Sequence, residues 1–514
     1  METELRLQIA PADIVRLRRF ALPDGWTRSA PKYKNLLRIY FDTDDLFLKQ
    51  RAIALRVRRD GRRWIQTVKV GGGVKDGLHN RIEAEVQIAH DHPDFTKIDD
   101  PALAELFLSP ELQGRIRPLF ATEFRRKIRL LESPTGDVVE MALDQGKVRI
   151  DQGTTIPICE VKLELKTGNA AALYEAALVL LDWVPLHLEK GSKAERGYAL
   201  CIPTPPPQPI KAPPLDLRRD VSVSQAFQSI ARNCICHLQC NYLGLLTGED
   251  VEYLHQMRIA LRRLRSAMGL FSKVAPAIND VGLIAEVRWL AGELGEARDW
   301  DVFVTETLPS ILSQAVDDPA LQALGEKARA IAAAKREKAR SAAASQCYQR
   351  LLLNLGAWLN RETWRVGARK RRLAMLDQPI HEWSGRLLDK RHNQLMKFGA
   401  RLGELSGAEQ HMLRIAGKKL RYAAEFLSHL HPGKDTGQYL KALADLQDIL
   451  GKLNDHAVTR RLLDELQGKD RPDALHVRAI GEIVGWDICQ ASTQLESLGR
   501  VWSDFTKQKR FWKK

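Results

Sequence analysis

The sequence predicts two domains of different class: an α+β domain around a large, mostly antiparallel sheet, then an all-α domain of long helices. Three observations predict this. Residues 1 to about 200 alternate apolar and polar side chains with period two in many places, the pattern of half-buried strands. Pro203–Pro214 holds too many prolines for a helix or a central strand and reads as an extended, semi-rigid spacer. From about residue 218 the pattern turns to long runs of Leu, Ala, Arg and Glu, as in a helical bundle. At 514 residues the chain also exceeds the size at which a single core keeps growing. The expected divisions are 1–202, a linker at 203–217, and 218–506.

The first expected strand is Met1–Gln8. Successive side chains of an extended chain point to opposite faces, so Glu2, Glu4, Arg6 and Gln8 share one face and Leu5, Leu7 and Ile9 the other. Further strands are expected at Leu36–Phe41, Ile53–Arg59, Arg62–Val70, Arg81–Ile88, Phe124–Leu131, Val138–Leu143, Lys147–Ile150 and Ile158–Lys166. Helices fit Pro11–Phe20 and Ala170–Asp182. In the second domain Ile331–Ala344 and Leu351–Leu359 typify the helical pattern.

A net charge of +15 and a pI near 9.5 point to polyanionic partners: nucleic acid, an anionic membrane surface or condensed phosphates. Seven cysteines, an odd number over a long chain, suit a reducing compartment and not a disulfide framework. Cys234, Cys236, His237 and Cys240 look metal-like, but helix neighbours two apart face roughly opposite ways, so buried thiols are expected in place of a zinc site. Met1 leads straight into a strand, which leaves no room for a signal peptide, and no apolar run reaches membrane-spanning length. A cytoplasmic protein is expected.

Charged alternation returns along the first domain. Arg81, Glu83, Glu85 and Gln87 share a face, Arg56 and Arg58 another, Glu140 and Asp144 a third, and Glu160, Lys162, Glu164 and Lys166 a fourth. Arg125, Lys127 and Arg129 are expected to add a row. One such strand is an ordinary solvated face. Several, dense in both signs, suggest a closed sheet with this face inward, enclosing a wide polar bore. Unpaired buried charges are very costly, so such a bore needs a ligand that carries both signs. A metal–polyphosphate complex does: carboxylates take Mg²⁺ or Mn²⁺, and Arg and Lys take the phosphate oxygens.

At these residues the chain resembles a family. Glu2-Thr3-Glu4-Leu5-Arg6 is similar to the Glu-x-Glu-x-Lys signature that opens the CYTH domain, the fold of the triphosphate tunnel metalloenzymes. Tyr40-Phe41-Asp42-Thr43, Leu55-Arg56-Val57-Arg58, Trp64-Ile65-Gln66-Thr67-Val68-Lys69 and Arg81-Ile82-Glu83-Ala84-Glu85 follow in the family's order. So do Glu140-Met141-Ala142-Leu143-Asp144 and Ser192-Lys193-Ala194-Glu195-Arg196-Gly197-Tyr198. The resemblance implies a closed, antiparallel eight-stranded tunnel barrel that binds triphosphate groups and hydrolyses them with a divalent metal. It also implies that Glu2, Glu4 and Glu160, with Asp144 and Glu164, are metal ligands for Mg²⁺ or Mn²⁺. Arg6, Arg38, Arg56, Arg58, Lys69, Lys193 and Arg196 would hold phosphates, and Arg6, Glu2 and Glu4 would form the catalytic set. Phosphoryl transfer needs mostly positioning and charge neutralisation, which such residues supply. Two departures matter. Arg6 stands where the family has Lys, and Lys162 stands where it commonly has Glu. An ammonium has no lone pair to give a metal.

The helical half contains an internal repeat. His255-Gln256-Met257-Arg258-Ile259-Ala260-Leu261-Arg262-Arg263-Leu264-Arg265 matches the stretch from His411 to Arg421, and Leu294-Gly295…Asp299…Val302 matches Leu450-Gly451…Asp455…Val458, both at an offset of 156 residues. Two blocks at one offset indicate a duplicated helical bundle. His255, Arg258, Arg262 and Arg265 fall on one helix stripe, and His411, Arg414, Lys418 and Arg421 repeat it. Facing each other, the stripes would make a shared basic groove. This half resembles the CHAD domain, which implies binding of inorganic polyphosphate by these eight residues. Arg298, Asp299 and Asp301, and Asn454 and Asp455, are expected to pair with and orient the basic helices.

Together the resemblances imply a metal-dependent inorganic triphosphatase, cleaving tripolyphosphate to pyrophosphate and phosphate, tethered to a polyphosphate-binding bundle. The alternatives are a triphosphatase for thiamine triphosphate or nucleotides and a non-catalytic polyphosphate adaptor. Expected partners are inorganic triphosphate and long-chain polyphosphate in the cytoplasm, polyphosphate granules included. No membrane partner is expected, and nucleic acid is disfavoured for want of a recognised motif or aromatic stacking platform.

Overall fold

The computed structural model describes residues 3–75, 78–150, 153–189, 191–202, 208–314, 318–399, 401–468 and 474–513. It divides into two compact units, Met1–Pro205 with Leu352–Arg361, and Pro206–Leu351 with Glu362–Lys514.

The first unit is built on one antiparallel sheet of ten strands: β1 (Glu4–Ile9), β2 (Thr27–Arg28), β3 (Lys32–Asp42), β4 (Ile53–Asp60), β5 (Arg63–Lys75), β6 (Leu78–Ile88), β7 (Arg117–Glu132), β8 (Val138–Ile150), β9 (Thr155–Thr167) and β10 (Leu186–Leu188). The order is β10-β1-β9-β8-β7-β3-β4-β5-β6, with β2 on β7. This corrects the expected closed, eight-stranded barrel. β10 pairs with β1 through Leu7 and Leu188 and so takes the edge that closure on β6 would need. β2 and β10 are two and three residues long, too short to show alternation in sequence. The expected strands Val138–Leu143 and Lys147–Ile150 are one, and the strand runs on through Asp144, Gln145 and Gly146. A Cβ at Gly146 would overlap the Glu123 carbonyl oxygen and the Phe124 backbone, so close strand approach requires glycine there.

The apolar face of β1, β8 and β9 supplies Leu7, Ile9, Met141, Leu143, Val161 and Leu163 to a core. The Ala171–Trp183 helix covers it with Ala172, Leu173, Ala176, Ala177 and Leu180, spaced at one helical face. Burying such a Leu stabilises by roughly 1.5–3 kcal/mol. The opposite face carries the charges. At one end it is filled by Tyr40, Phe120, Phe124, Val148, Ile158 and Tyr198. Tyr198 belongs to the Lys193–Cys201 helix, which begins at a capping box of Ser192 and Glu195. Gly197 lets that helix lie against the Phe120 ring, which a Cβ would overlap.

The second unit is helical. The repeated blocks lie on Glu252–Phe271 with Val281–Val302, and on Gly407–Leu427 with Lys434–Gln467; each pair packs together, and so do the two basic helices. Residues 208–217 of the expected linker carry no helix or strand, and 203–207 lie outside the described residues. The linker is not wholly a free spacer: Ile210 N–H donates to Asn241 Oδ1 at 2.9 Å, and Asn241 Nδ2 donates back to Ile210 O at 2.8 Å. In the cysteine cluster only Cys234 is buried, and Cys236 is exposed, because the i, i+2 spacing turns them apart.

Candidate functional site

Register carries the charges across the sheet. Glu4 lies opposite Glu164, Arg6 opposite Lys162, and Gln8 opposite Glu160. On β8, Glu140 and Asp144 oppose Glu164 and Glu160, and Arg126 of β7 opposes Asp144. Farther along, Arg38 opposes Arg58, Tyr40 opposes Arg56, Lys69 opposes Ala54, and Glu85 opposes Thr67. Directly paired residues point to one face, so this whole set shares a face. The sheet curls until Glu4 of β1 and Lys69 of β5, with five strands between them, line one cavity of about 700 Å³. Eight Lys or Arg side chains line it against three Glu, so it is strongly cationic.

Its deepest charges are paired. Asp144 is fully buried and accepts from Arg126 Nε at 2.7 Å and from an Arg126 terminal nitrogen at 2.8 Å, with Lys193 Nζ 2.7 Å away. Glu160, 2% exposed, accepts from Arg196 at 2.5 Å and from Lys193. Burial raises the Asp144 pKa, but Arg126 and Lys193 carry it below the ordinary carboxylate value. Burial pushes the Lys193 ammonium down to about 8 against the pull of Asp144. Nearer the mouth, Glu4 accepts from Arg6 at 2.5 Å and pairs with Lys162 at 2.8 Å; Glu164 pairs with Lys162 at 2.9 Å and with Lys166. Glu4 is raised by burial and brought below its ordinary value by Lys162 and Arg6.

Both oxygens of Glu4, Asp144, Glu160 and Glu164 therefore face a Lys or Arg of the chain. Among the described residues no group of three or more His, Cys, Asp or Glu is arranged to hold a metal ion. As arranged, these acids do not fit a resident divalent cation. Glu2, the other expected ligand, lies outside the described residues. The cavity does fit an anion: eight Lys or Arg line it, and the Nε of the lining Arg38 is buried with no hydrogen-bond partner among the described residues.

The second unit has a smaller cavity of about 310 Å³ where the two repeated helices meet. Arg262, Arg265, Lys418 and Lys419 of the repeats, with Arg288 and Arg391, line it, and no carboxylate does. Burial first, then Arg414, Arg262 and Arg258, pushes the Lys418 ammonium down to about 7.

Family models match residues 1–198 as "CYTH domain" and residues 229–464 as "CHAD domain". The chain joins a CYTH domain to a CHAD domain. Over 202 residues it is 31% identical to the inorganic triphosphatase of Haemophilus influenzae, covering 39% of this chain and 54% of that relative. The chain thus spans about half the length of the curated relative it matches. The crystal structure of the CHAD domain from the plant Ricinus communis is 37% identical, with a TM-score of 0.52, covering 59% of this chain and 97% of that chain.

Within the CYTH cavity stand the expected Glu4, Arg6, Arg38, Arg56, Lys69, Glu160 and Lys193. Arg58 instead pairs with Glu85 at 2.9 Å, and Arg196 reaches the site through Glu160. Arg126, Lys49 and Tyr198 line the cavity and were missed by sequence reasoning. The expected row Arg125, Lys127, Arg129 is corrected to Arg126, since the register places Arg126 and not its neighbours opposite Asp144. In the CHAD domain, Arg258 donates to Gly295 O at 3.0 Å and to Asp299 at 3.2 Å, the orienting role expected of that aspartate. His255 is no cation: it accepts from Arg298 Nε at 3.0 Å, and burial, with Arg298 beside it, pushes it down to about 3. His411 is exposed, and Arg421 pairs with Glu425 at 2.8 Å. No helix among the described residues is long and apolar enough to cross a membrane.

Proposed function

We propose that the CYTH cavity hydrolyses inorganic triphosphate to pyrophosphate and phosphate. The observation that carries this reading is eight cationic side chains lining one cavity, six of them on the curled sheet and two, Lys49 and Lys193, on helices, with the Arg38 Nε buried and without a hydrogen-bond partner among the described residues. The name of the Haemophilus influenzae relative supports the same substrate. Triphosphate would draw Arg6, Arg126, Lys193 and their neighbours from carboxylate to phosphate oxygens, neutralising the charge that develops as water displaces pyrophosphate. The divalent cation, Mg²⁺ or Mn²⁺, enters as part of the metal–triphosphate substrate. We propose likewise that the CHAD domain binds long-chain polyphosphate through Arg258, Arg262, Arg414 and Lys418 of its repeated helices, of which Arg262 and Lys418 line the cavity, and that the protein works beside polyphosphate in the cytoplasm. A non-catalytic polyphosphate adaptor is the second reading, favoured by the ion-paired state of the CYTH carboxylates.

Phosphate release from tripolyphosphate, thiamine triphosphate and ATP, with Mg²⁺, Mn²⁺ or a chelator, tests this. The expected result is turnover of tripolyphosphate that a chelator stops; no turnover by the folded protein leaves the adaptor reading. Neutralising the four CHAD residues together should weaken long-chain polyphosphate binding and leave triphosphate hydrolysis unchanged.

A further inference from the structure

Lys162 stands at the centre of a row of charges on the CYTH face. Its strand neighbours are Arg6 on β1 and Ala142 on β8. Its ammonium reaches Glu4 Oε2 at 2.8 Å on one side and Glu164 Oε2 at 2.9 Å on the other. Glu4 and Glu164 are themselves directly paired across the strands, so two carboxylates are held on one face at close range. Without a cation between them they would repel, and one would have to take up a proton. The outer oxygens are held by Arg6 and Lys166. Arg6, Glu4, Lys162, Glu164 and Lys166 thus alternate in sign, with a net charge of one positive.

We infer that Lys162 is the resident cation of this pocket, occupying the place between Glu4 and Glu164 that a divalent ion bridging them would require. A primary ammonium supplies the charge and three N–H donors, but it is no Lewis acid and cannot take a water or phosphate oxygen as a ligand in the way a divalent metal does. The free protein then binds no divalent cation at this position, and the only metal in the reaction is the one carried on triphosphate. Only that last consequence rests on the triphosphatase reading; cation occupancy of the free pocket does not.

Mn²⁺ binding to the full chain without any phosphate, followed by electron paramagnetic resonance and calorimetry, tests the inference. Wild type and Lys162→Arg should show no pocket site tighter than about 1 mM. Lys162→Glu should gain one site, tighter by about tenfold or more. Lys162→Met, which frees the two carboxylates without adding a third, should gain a weaker one, and it decides the matter if Lys162→Glu does not fold. Glu4→Gln in either background should remove the gained site. A wild-type site of sub-millimolar affinity lost in Glu4→Gln, or no gain in either variant, would overturn the inference. Phosphate release measured separately shows whether the triphosphatase reading stands.

Discussion

The two cationic cavities solve the problem of buried charge in opposite ways. In the CYTH cavity the cations are interleaved with carboxylates: Arg126 and Lys193 on Asp144, Lys193 and Arg196 on Glu160, and nearer the mouth Lys162 on Glu4 and Glu164. In the CHAD cavity six cations line about 310 Å³ with no carboxylate among them. The first arrangement is stable while empty, and a ligand must compete with internal ion pairs for its cations. A small ligand of high charge density, such as triphosphate, meets that demand. The second stores repulsion, seen in the depressed Lys418, and any polyanion that relieves it is favoured. On the proposed function, selectivity would belong to the paired cavity and affinity for sheer charge to the unpaired one.

Removing a cation should therefore act with opposite sign in the two domains. Arg126→Met leaves Asp144 fully buried without its two-point partner. Breaking a buried pair from one side costs about 3–5 kcal/mol, so the denaturant midpoint of the CYTH transition should fall steeply. Lys418→Met removes an ammonium that burial and its cationic neighbours disfavour. At pH 6 it should stabilise the CHAD transition by roughly 1 kcal/mol while weakening polyphosphate binding. Two destabilised proteins, measured by the same denaturant titration, would erase the contrast.

How far sequence reasoning reached follows the same division between local and non-local information. Period-two alternation is local, so the charges of β1, β4, β8 and β9 fell on their correct faces. Which of two adjacent arginines entered the site was not local. Arg125 and Arg126 point to opposite faces of β7, and only the register with β8 sets Arg126 against Asp144. The alternating row Arg125, Lys127, Arg129 was the denser pattern and the wrong one. The two strands expected at Val138–Leu143 and Lys147–Ile150 are one because Gly146 sits at a close strand approach, which only the packing against β7 reveals. The Lys193–Cys201 helix had a visible signal in Ser192 and Glu195, a capping box, but a short helix after a strand carries little periodicity. Lys162 stood out in sequence as a departure; its partners, Glu4 and Glu164, became visible only with the β1–β9 pairing.

The pH response sharpens the comparison further. Lys418 is pushed down to about 7, below the value near 10.4 of an unfolded lysine. Between these values the unfolded chain binds the extra proton, so CHAD stability should rise with pH over that window. Polyphosphate binding should move the other way, because the polyanion needs the ammonium. Affinity should fall about three- to fivefold from pH 6 to pH 9, under about 1 kcal/mol, and Lys418→Arg should flatten the fall. A binding isotherm at each pH, at fixed ionic strength, reads it directly. Parallel rises in stability and affinity would remove Lys418 from the binding surface.

The smallest expected effect separates histidine from the other members of its stripe. His255 shares a helix face with Arg258 and Arg262, and a protonated imidazole there would add a charge below about pH 6.5. Geometry argues against it, since Arg298 Nε already donates to its Nδ1 at 3.0 Å and a second proton would face that guanidinium. Held down to about 3, the ring stays neutral from pH 5 to pH 8 and acts by orienting Arg298. His255→Gln keeps an acceptor for Arg298, so polyphosphate affinity should change by less than about twofold, within ~0.4 kcal/mol, at both pH 5.5 and pH 8. A step in affinity near pH 6.5 that disappears in this variant would show that the imidazole carries charge in the complex, and the basic helix stripe would then present one more ligand-facing cation than the unliganded arrangement allows.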